Sequence, residues 1–236
     1  NWKLTITMVI FLFFGVPVSN SAKASQGDST KLANLQAQIN SLHKEGNHAD
    51  LALSYIEKSK LERRIFLDTS KSFNSIREAL IYSKKANNLN LEFYCLYSLR
   101  HAQYLSNVSY QKHNALDAVL SSMLDKETIE DSLRFKVHQF WGNIYVKHNY
   151  HILALNEYLF SQNIAYVMRD DSKIVENLIR LLQVYDILKD DNSFMETQAL
   201  IESYMPEEDT DLQIRYYLKL RSLESRFSRA ESESYL

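Results

Sequence analysis

The chain has 236 residues, of which 45% are hydrophobic and 24% are charged, and these values are typical of a globular protein rather than of a disordered chain. Glycine occurs four times and proline twice, so helices joined by short polar loops are expected instead of a turn-rich β architecture. The formal net charge is −2, and no long basic stripe occurs, so the sequence does not support a nucleic-acid partner.

The first residues have the features of a signal peptide. Lys3 precedes an apolar run from Leu4 to Val18, and small residues then lead to Ala24. We expect cleavage after Ala24, so that residues 1–24 are the signal peptide and residues 25–236 form the mature domain. The mature protein would then be periplasmic or secreted. The alternative is an uncleaved segment that anchors a periplasm-facing protein, although the run is shorter than the roughly 20 residues of a spanning helix.

Apolar periodicity predicts helices along the rest of the chain. Residues spaced three and four apart from Leu32 to Leu42 predict a first helix, and a second apolar stripe follows over 51–56. Further helices are predicted at about 60–71 and 75–87, and a third pair spans 91–124. The spacing Ser-x-x-Glu at the start of the 75–87 helix predicts a capping box there.

Cys95 is the only cysteine of the chain, so an internal disulfide is excluded. It lies on a predicted buried stripe with Leu91, Tyr94 and Leu99. This position favours a small core residue over a reactive thiol.

The clearest helix pair is predicted over Phe135–Met168. Small residues in the middle of each helix leave room for close approach, while large aromatic residues fill the seams beside them. One such pair cannot bury its own apolar faces, so neighbouring pairs are implied. The small residues are Gly142, Ala154 and Ser161, and the aromatic residues are Trp141, Tyr145 and Tyr158.

A fifth pair begins at Asp171, and Pro206 ends its second helix. The pattern Ser193-x-x-Glu196 predicts a capping box at the start of that second helix. The acidic pairs at 170–171 and 190–191 directly precede helix starts, where a negative charge is favourable. A last helix is predicted from Asp211 to about Glu233, with no partner helix after it. Either it closes the array, or a coiled coil, a membrane span and a signalling module follow it.

The spacing in Phe135–Met168 resembles a tetratricopeptide repeat. The resemblance extends weakly over about 31–233, since the small residues Ala79, Ala115 and Ala154 are 36 and 39 positions apart while the family period is about 34. It implies an all-α fold: a right-handed α-solenoid of about five degenerate tetratricopeptide-like helix pairs plus a terminal helix. The alternative is an irregular helical bundle. The layout also resembles the exported sensory regions of bacterial membrane-bound diguanylate cyclases and histidine kinases.

No catalytic, metal or cofactor motif is found. A phosphate-binding loop needs clustered glycines, and the glycines after the signal segment, Gly27, Gly46 and Gly142, are far apart. The pair His148 and His151 has no carboxylate or cysteine nearby to complete a metal site. His101 and His138 are expected to be partly buried residues within helices. We therefore expect no catalytic residue, no metal and no cofactor.

The resemblance implies that the first helix of each pair lines a groove that holds a peptide. Asn143 and Lys136 occupy places where relatives that bind a peptide carboxylate carry Asn and Lys. The alternative is a solvated helix face. Tyr104 and Tyr216 are also candidate contacts. The candidate groove residues are Arg100, Tyr104, Asn107, Lys136, Gln139, Asn143, Lys147, Arg180 and Gln183.

The function predicted from these features is that of a non-enzymatic, exported scaffold or adaptor that binds a protein or a peptide. Within the same hypothesis, the chain could be the ligand-sensing input domain of a signalling protein. The alternative is the helical scaffold of a periplasmic enzyme that acts on the cell wall, which would need a separate catalytic domain. Contact with a membrane is expected only if the first segment stays uncleaved or a span follows Leu236.

Overall fold

A computed structural model describes residues 26–66, 69–105, 114–126 and 128–234. The predicted signal peptide and the candidate residue Asn107 lie outside these ranges. The described residues contain ten helices and no strand. The helices are α1 (Gln26–Glu45), α2 (His48–Phe66), α3 (Thr69–Lys85), α4 (Leu89–Leu105), α5 (Asn114–Leu124), α6 (Asp131–Lys147), α7 (His151–Met168), α8 (Asp171–Leu188), α9 (Asp191–Tyr204) and α10 (Thr210–Ser234).

The contacts of the chain group into two compact units, of which the first ends at Asn114 and the second begins at Ala115. In the first unit α1 to α4 pack in succession, and α2 also contacts α4. In the second unit α6 to α9 pack in succession, and α8 also contacts α10. Contacts between successive and alternate helices are typical of stacked helical repeats. The predicted all-α, solenoid-like fold class is confirmed.

The predicted helix boundaries between residues 51 and 87 are wrong. Two helices, α2 and α3, occupy the segment for which three were predicted. Ser75, which was predicted to cap the 75–87 helix, lies in the α2–α3 interface instead, together with Ser59 and Ser72. Ser75 Oγ donates to Glu62 Oε2 at 2.7 Å, and Ser72 Oγ donates to Ser59 Oγ at 3.3 Å. These serines are buried, so they serve packing and not a helix start.

The predicted capping box at Ser193 is also wrong, because an aspartate caps that helix. Asp190 precedes α9, and its Oδ1 accepts the backbone N–H of Ser193 at 3.1 Å. Asp170 caps α8 in the same way, accepting the backbone N–H of Lys173 at 3.0 Å. The Lys173 ammonium beside it holds the pKa of the Asp170 carboxyl below its usual value. The acidic residues before these helices therefore have the structural role that their positions predicted.

Non-glycine residues with positive φ end several helices, which is how a chain with few glycines makes its tight turns. Arg169 and Lys189 adopt the left-handed conformation after α7 and α8, with φ of 54° and 58°. Their backbone N–H groups donate to carbonyls of the last helical turn. Asn87 and Asn149 have positive φ in the turns after α3 and α6. These helices are therefore joined to the next ones by short turns that do not need a glycine.

Cys95 lies in the core of the first unit, where it is fully buried among Ala52, Ile56, Ala79 and Leu91. Burial raises the pKa of its thiol to about 12. The predicted core position is confirmed. None of the described helices is both long enough and apolar enough to cross a membrane.

We expect the Cys95 thiol to resist modification in the folded protein. The thiolate is the reactive species, and a buried thiol with a pKa of about 12 is protonated at neutral pH. The rate of reaction with an aromatic disulfide reagent, followed by absorbance at pH 8, should rise at least a hundredfold when denaturant unfolds the chain. The variant Ser98→Cys, in which the new thiol is partly exposed on the same helix, provides the control. Rapid native-state labelling of Cys95 itself would contradict this assignment.

Candidate functional site

The α6–α7 pair is held together by the close fit of Gly142 and Tyr158. A Cβ placed on Gly142 would lie 2.6 Å from Cδ1 and 2.8 Å from Cζ of Tyr158, and closer still to Cε1. Tyr158 is 2% exposed, and its hydroxyl donates to Asn143 Oδ1 at 2.8 Å. Ala154 and Ser161 are fully buried on the same face of α7. The small residues therefore permit the close approach that the sequence predicted.

A buried polar network links this pair to α8 through Asn177, which is fully buried. The Asn177 amide nitrogen donates to the Tyr158 carbonyl at 2.7 Å and to Gln162 Oε1 at 2.9 Å. Its Oδ1 accepts from Ser161 Oγ at 2.5 Å and from Gln139 Nε2 at 3.4 Å. Both donors and both acceptor positions of the amide are therefore used. Asn177 fixes α6, α7 and α8 in one arrangement.

A second chain of polar contacts runs from the α6–α7 pair to the surface of α8. Asn143 Oδ1 accepts from Arg180 Nη1 at 3.3 Å, and Arg180 Nη2 donates to Glu176 Oε1 at 2.8 Å. The Nε of Arg180 is buried and has no acceptor among the described residues. The guanidinium is therefore oriented by two neighbours, while its buried Nε–H has no acceptor among the described residues.

Arg180 lies in a pocket of 190 Å³ between α8 and α10. Three cationic side chains and one carboxylate line it, so its formal charge is positive. Lys219 Nζ donates to Gln183 Oε1 at 2.6 Å, which connects α10 to α8 across the pocket. Arg215 Nε lies 3.5 Å from Asp211 Oδ2 on its own helix. The lining residues are Glu176, Ile179, Arg180, Gln183, Arg215 and Lys219.

The structure brings together three of the residues predicted for the groove. Asn143, Arg180 and Gln183 lie on α6 and α8, and the last two line the pocket. Lys136 and Lys147 are exposed on α6 but do not line it. These two lysines remain candidates for contacts with other residues of a bound peptide.

Three other candidates are not available at the surface, and here the groove prediction is wrong. Arg100 is 1% exposed, Gln139 is 7% exposed and Tyr216 is 2% exposed. Gln139 donates to the Asn177 network, so its amide serves packing. These three side chains were predicted to face solvent because they are polar or carry a hydroxyl group. Neighbouring helices enclose them instead. Tyr104 is partly buried.

Sequence reasoning missed Arg215 and Lys219. Both lie on α10, which was predicted as a closing helix and was not aligned with the first helices of the pairs. The i, i+4 spacing of two cations on that helix is the signal that could have found them, since such residues share one helix face. Only the packing of α10 on α8 shows that this face borders Arg180.

The histidines show no arrangement that would suggest metal chemistry in the described part of the chain. No group of three or more His, Cys, Asp or Glu residues suited to a metal ion occurs there. His138 Nδ1 lies 2.7 Å from Glu157 Oε2 and is partly buried. Burial, with a smaller contribution from Arg63, lowers the pKa of His101. Both side chains are packed within helices, as predicted.

No known family model matches the chain, and no curated protein has a sequence significantly similar to it. The resemblance to tetratricopeptide repeats therefore depends on the residues and the helix packing of this chain alone.

Proposed function

We propose that the chain is a non-enzymatic, exported scaffold whose helix pairs are degenerate tetratricopeptide-like repeats, and that its second unit binds an acidic peptide segment of a partner protein. The observation that carries the proposal is the positively charged pocket between α8 and α10. Arg180, which lines the pocket, donates a hydrogen bond to Asn143 of α6. Hydrogen bonds between polar side chains therefore link the alternate helices α6, α8 and α10.

The size of the pocket favours a single side chain over a small-molecule ligand. Pockets for drug-sized ligands and cofactors have volumes of roughly 300–1,000 Å³. The 190 Å³ found here is smaller. An aspartate or glutamate side chain, or the terminal carboxylate of a peptide, is of a suitable size.

The charges of the pocket favour a carboxylate as the bound group. Arg180 and Lys219 are held in place by Glu176 and Gln183, so little side-chain entropy is lost when an anion binds. Charge-assisted hydrogen bonds from such groups are about twice as strong as neutral ones. The rest of the peptide would extend along α6, where Lys136 and Lys147 are exposed.

The proposed location is the periplasm or the exterior, because residues 1–24 have the composition of a signal peptide. A role as the ligand-sensing part of a signalling protein belongs to the same proposal. Binding of a partner at the pocket would be the input signal.

Selection from a random peptide library displayed on phage tests the binding proposal. We expect the wild-type chain to enrich peptides with a fixed aspartate, glutamate or free carboxyl terminus. The double variant Arg215→Ser and Lys219→Gln should bind a selected peptide at least tenfold more weakly in calorimetry, since two cations are lost. Arg215 is exposed, Lys219 is partly buried, and neither belongs to the apolar core, so helicity should not change. Raising the salt concentration should weaken wild-type binding.

Arg221→Gln is the matched control, because Arg221 is an exposed cation on the same helix that does not line the pocket. It should bind the selected peptide as the wild type does. Asn143→Ala is a poorer probe, because this amide also accepts from Tyr158 and its loss disturbs packing. Enrichment of peptides without acidic groups, or equal binding by the double variant, would refute the proposal.

A further inference from the structure

Helix α7 exposes an apolar face that the described residues cover only in part, through the contacts of Phe160 with the His138 ring and of Tyr166 with the Tyr204 ring. Six large apolar side chains of this helix are exposed, among them Val167 at 73%, Ile152 at 60% and Phe160 at 57%. They form three adjacent pairs with a spacing of seven residues. We call this set the α7 stripe, and its members are Ile152, Leu153, Leu159, Phe160, Tyr166 and Val167.

The α7 stripe occupies one side of the helix. At 100° per residue, its six members fall within an arc of roughly 140°. The face that packs on α6 and α8 is opposite, and it contains Ala154, Tyr158, Ser161 and Ala165. The distribution of polarity is thus the reverse of that in an ordinary surface helix, since hydrogen bonds of the Asn177 network lie inside and apolar side chains lie outside.

Charge does not interrupt the stripe. Apart from His151 at its first position, Glu157 is the only acidic or basic residue among the 18 residues of α7, and its carboxylate contacts His138 of α6. Six large side chains that are about half exposed present roughly 500 Å² of apolar surface, which is within the range of the largest, often functional, patch on a monomeric protein. A membrane surface is a poor match, because helices that bind one carry lysine and arginine on the flanking face.

The spacing of the stripe is symmetric. Two exposed asparagines, Asn156 and Asn163, lie between the apolar pairs. Together with the six stripe residues they occur at steps of one, three, three, one, three, three and one, which is the same in both directions along the helix. A helix with such a pattern is complementary to a reversed copy of itself. This is the requirement of a two-fold symmetric interface, in which residue i contacts residue j and j contacts i.

We propose that α7 pairs antiparallel with α7 of a second copy of this chain. The two-fold axis passes between Leu159 and Phe160, so Asn156 of one copy lies opposite Asn163 of the other. Hydrogen bonds between these amides fix the register of an otherwise apolar seam. The two stripes would together bury roughly 1,000 Å², at the lower end of specific interfaces, so a reversible dimer is expected.

Sedimentation velocity over a range of protein concentrations tests the dimer. We expect the wild-type chain to shift from monomer to dimer with increasing concentration. Phe160→Glu places a charge next to the axis and should weaken association at least tenfold. Leu218→Glu is the matched control, because Leu218 is 62% exposed on α10, outside the stripe, and should dimerise as the wild type does. Circular dichroism checks that both variants keep their helicity.

Cysteine cross-linking tests the orientation, and the native thiol does not interfere because Cys95 is buried. Under mild oxidation a mixture of Asn156→Cys and Asn163→Cys chains should form a mixed disulfide dimer, while each variant alone should not. Cross-linking of each variant alone would show a parallel pair and overturn the proposal. A wild-type chain that stays monomeric at all concentrations would also overturn it. The pocket is on α8 and α10, so peptide binding can succeed or fail independently of either result.

Discussion

Substitution of Gly142 by alanine is expected to destabilise the second unit by about 3 kcal/mol, which is at the upper end of the cost of overpacking a core. Alanine normally favours a helix over glycine by about 1 kcal/mol, so the expected sign is opposite to that of helix propensity. The reason is the Tyr158 ring, which occupies the space of the new methyl group and is itself buried. Urea unfolding followed by circular dichroism measures the change.

Two further variants separate this clash from other effects. Gly46→Ala meets no atom within 4 Å, but its φ is +71°, so it should cost only about 1 kcal/mol of backbone strain. In a Tyr158→Leu background the ring is gone, and Gly142→Ala should then be neutral or stabilising. A destabilisation by Gly142→Ala that is unchanged in that background would contradict the proposed contact. Because Tyr158 donates to Asn143, which accepts from Arg180, the clash should also weaken peptide binding at the pocket.

Replacement of Asn177 by leucine is expected to cost about 3–4 kcal/mol, because a buried polar group that loses its partner is penalised by about 1–3 kcal/mol. The leucine has a similar volume, but four hydrogen bonds are lost. The groups left behind belong to Gln139, Tyr158, Ser161 and Gln162, and of these only the Ser161 hydroxyl and the Tyr158 carbonyl keep a hydrogen bond, of 3.0 Å, to each other. All of them are buried, so water cannot replace the amide without opening the interface. Thermal and urea unfolding should both show the loss.

Asn74→Leu is the matched control, since Asn74 is an exposed asparagine within helix α3. Substitutions at such surface positions usually change stability by less than about 0.5 kcal/mol. An Asn177→Leu variant as stable as this control would show that the network contributes little. A destabilised variant that still binds the selected peptide would show that the network supports the fold but not the pocket.

The α6–α7 pair could be predicted from the sequence because its signal is local. Gly142, Ala154 and Tyr158 lie at fixed spacings on two successive helices, and a glycine in a helix indicates a close approach by another group. The burial of Cys95 was predictable for the same reason, since it lies on an apolar stripe. Periodicity also indicated an all-helical chain with few turns.

The candidate site needed information that a linear pattern does not contain. Arg100 and Gln139 are polar residues that the groove alignment placed at the surface, yet both are enclosed by packing. Arg215 and Lys219 become part of a pocket only because α10 packs on α8. Burial of a polar side chain depends on whether distant residues supply hydrogen-bond partners, and sequence spacing on one helix does not show those partners.

The sequence by itself determined that this chain is helical, that Gly142 and Ala154 allow two successive helices to approach closely and that Cys95 is a core residue. These properties depend on the period of the helix and on the sizes of residues a few positions apart. The tertiary structure decided where α2 and α3 end, which polar residues are buried and which cations share a pocket. Those properties depend on contacts between helices that are distant in sequence, and the same polar residue is compatible with solvent or with a buried network until its neighbours are in place.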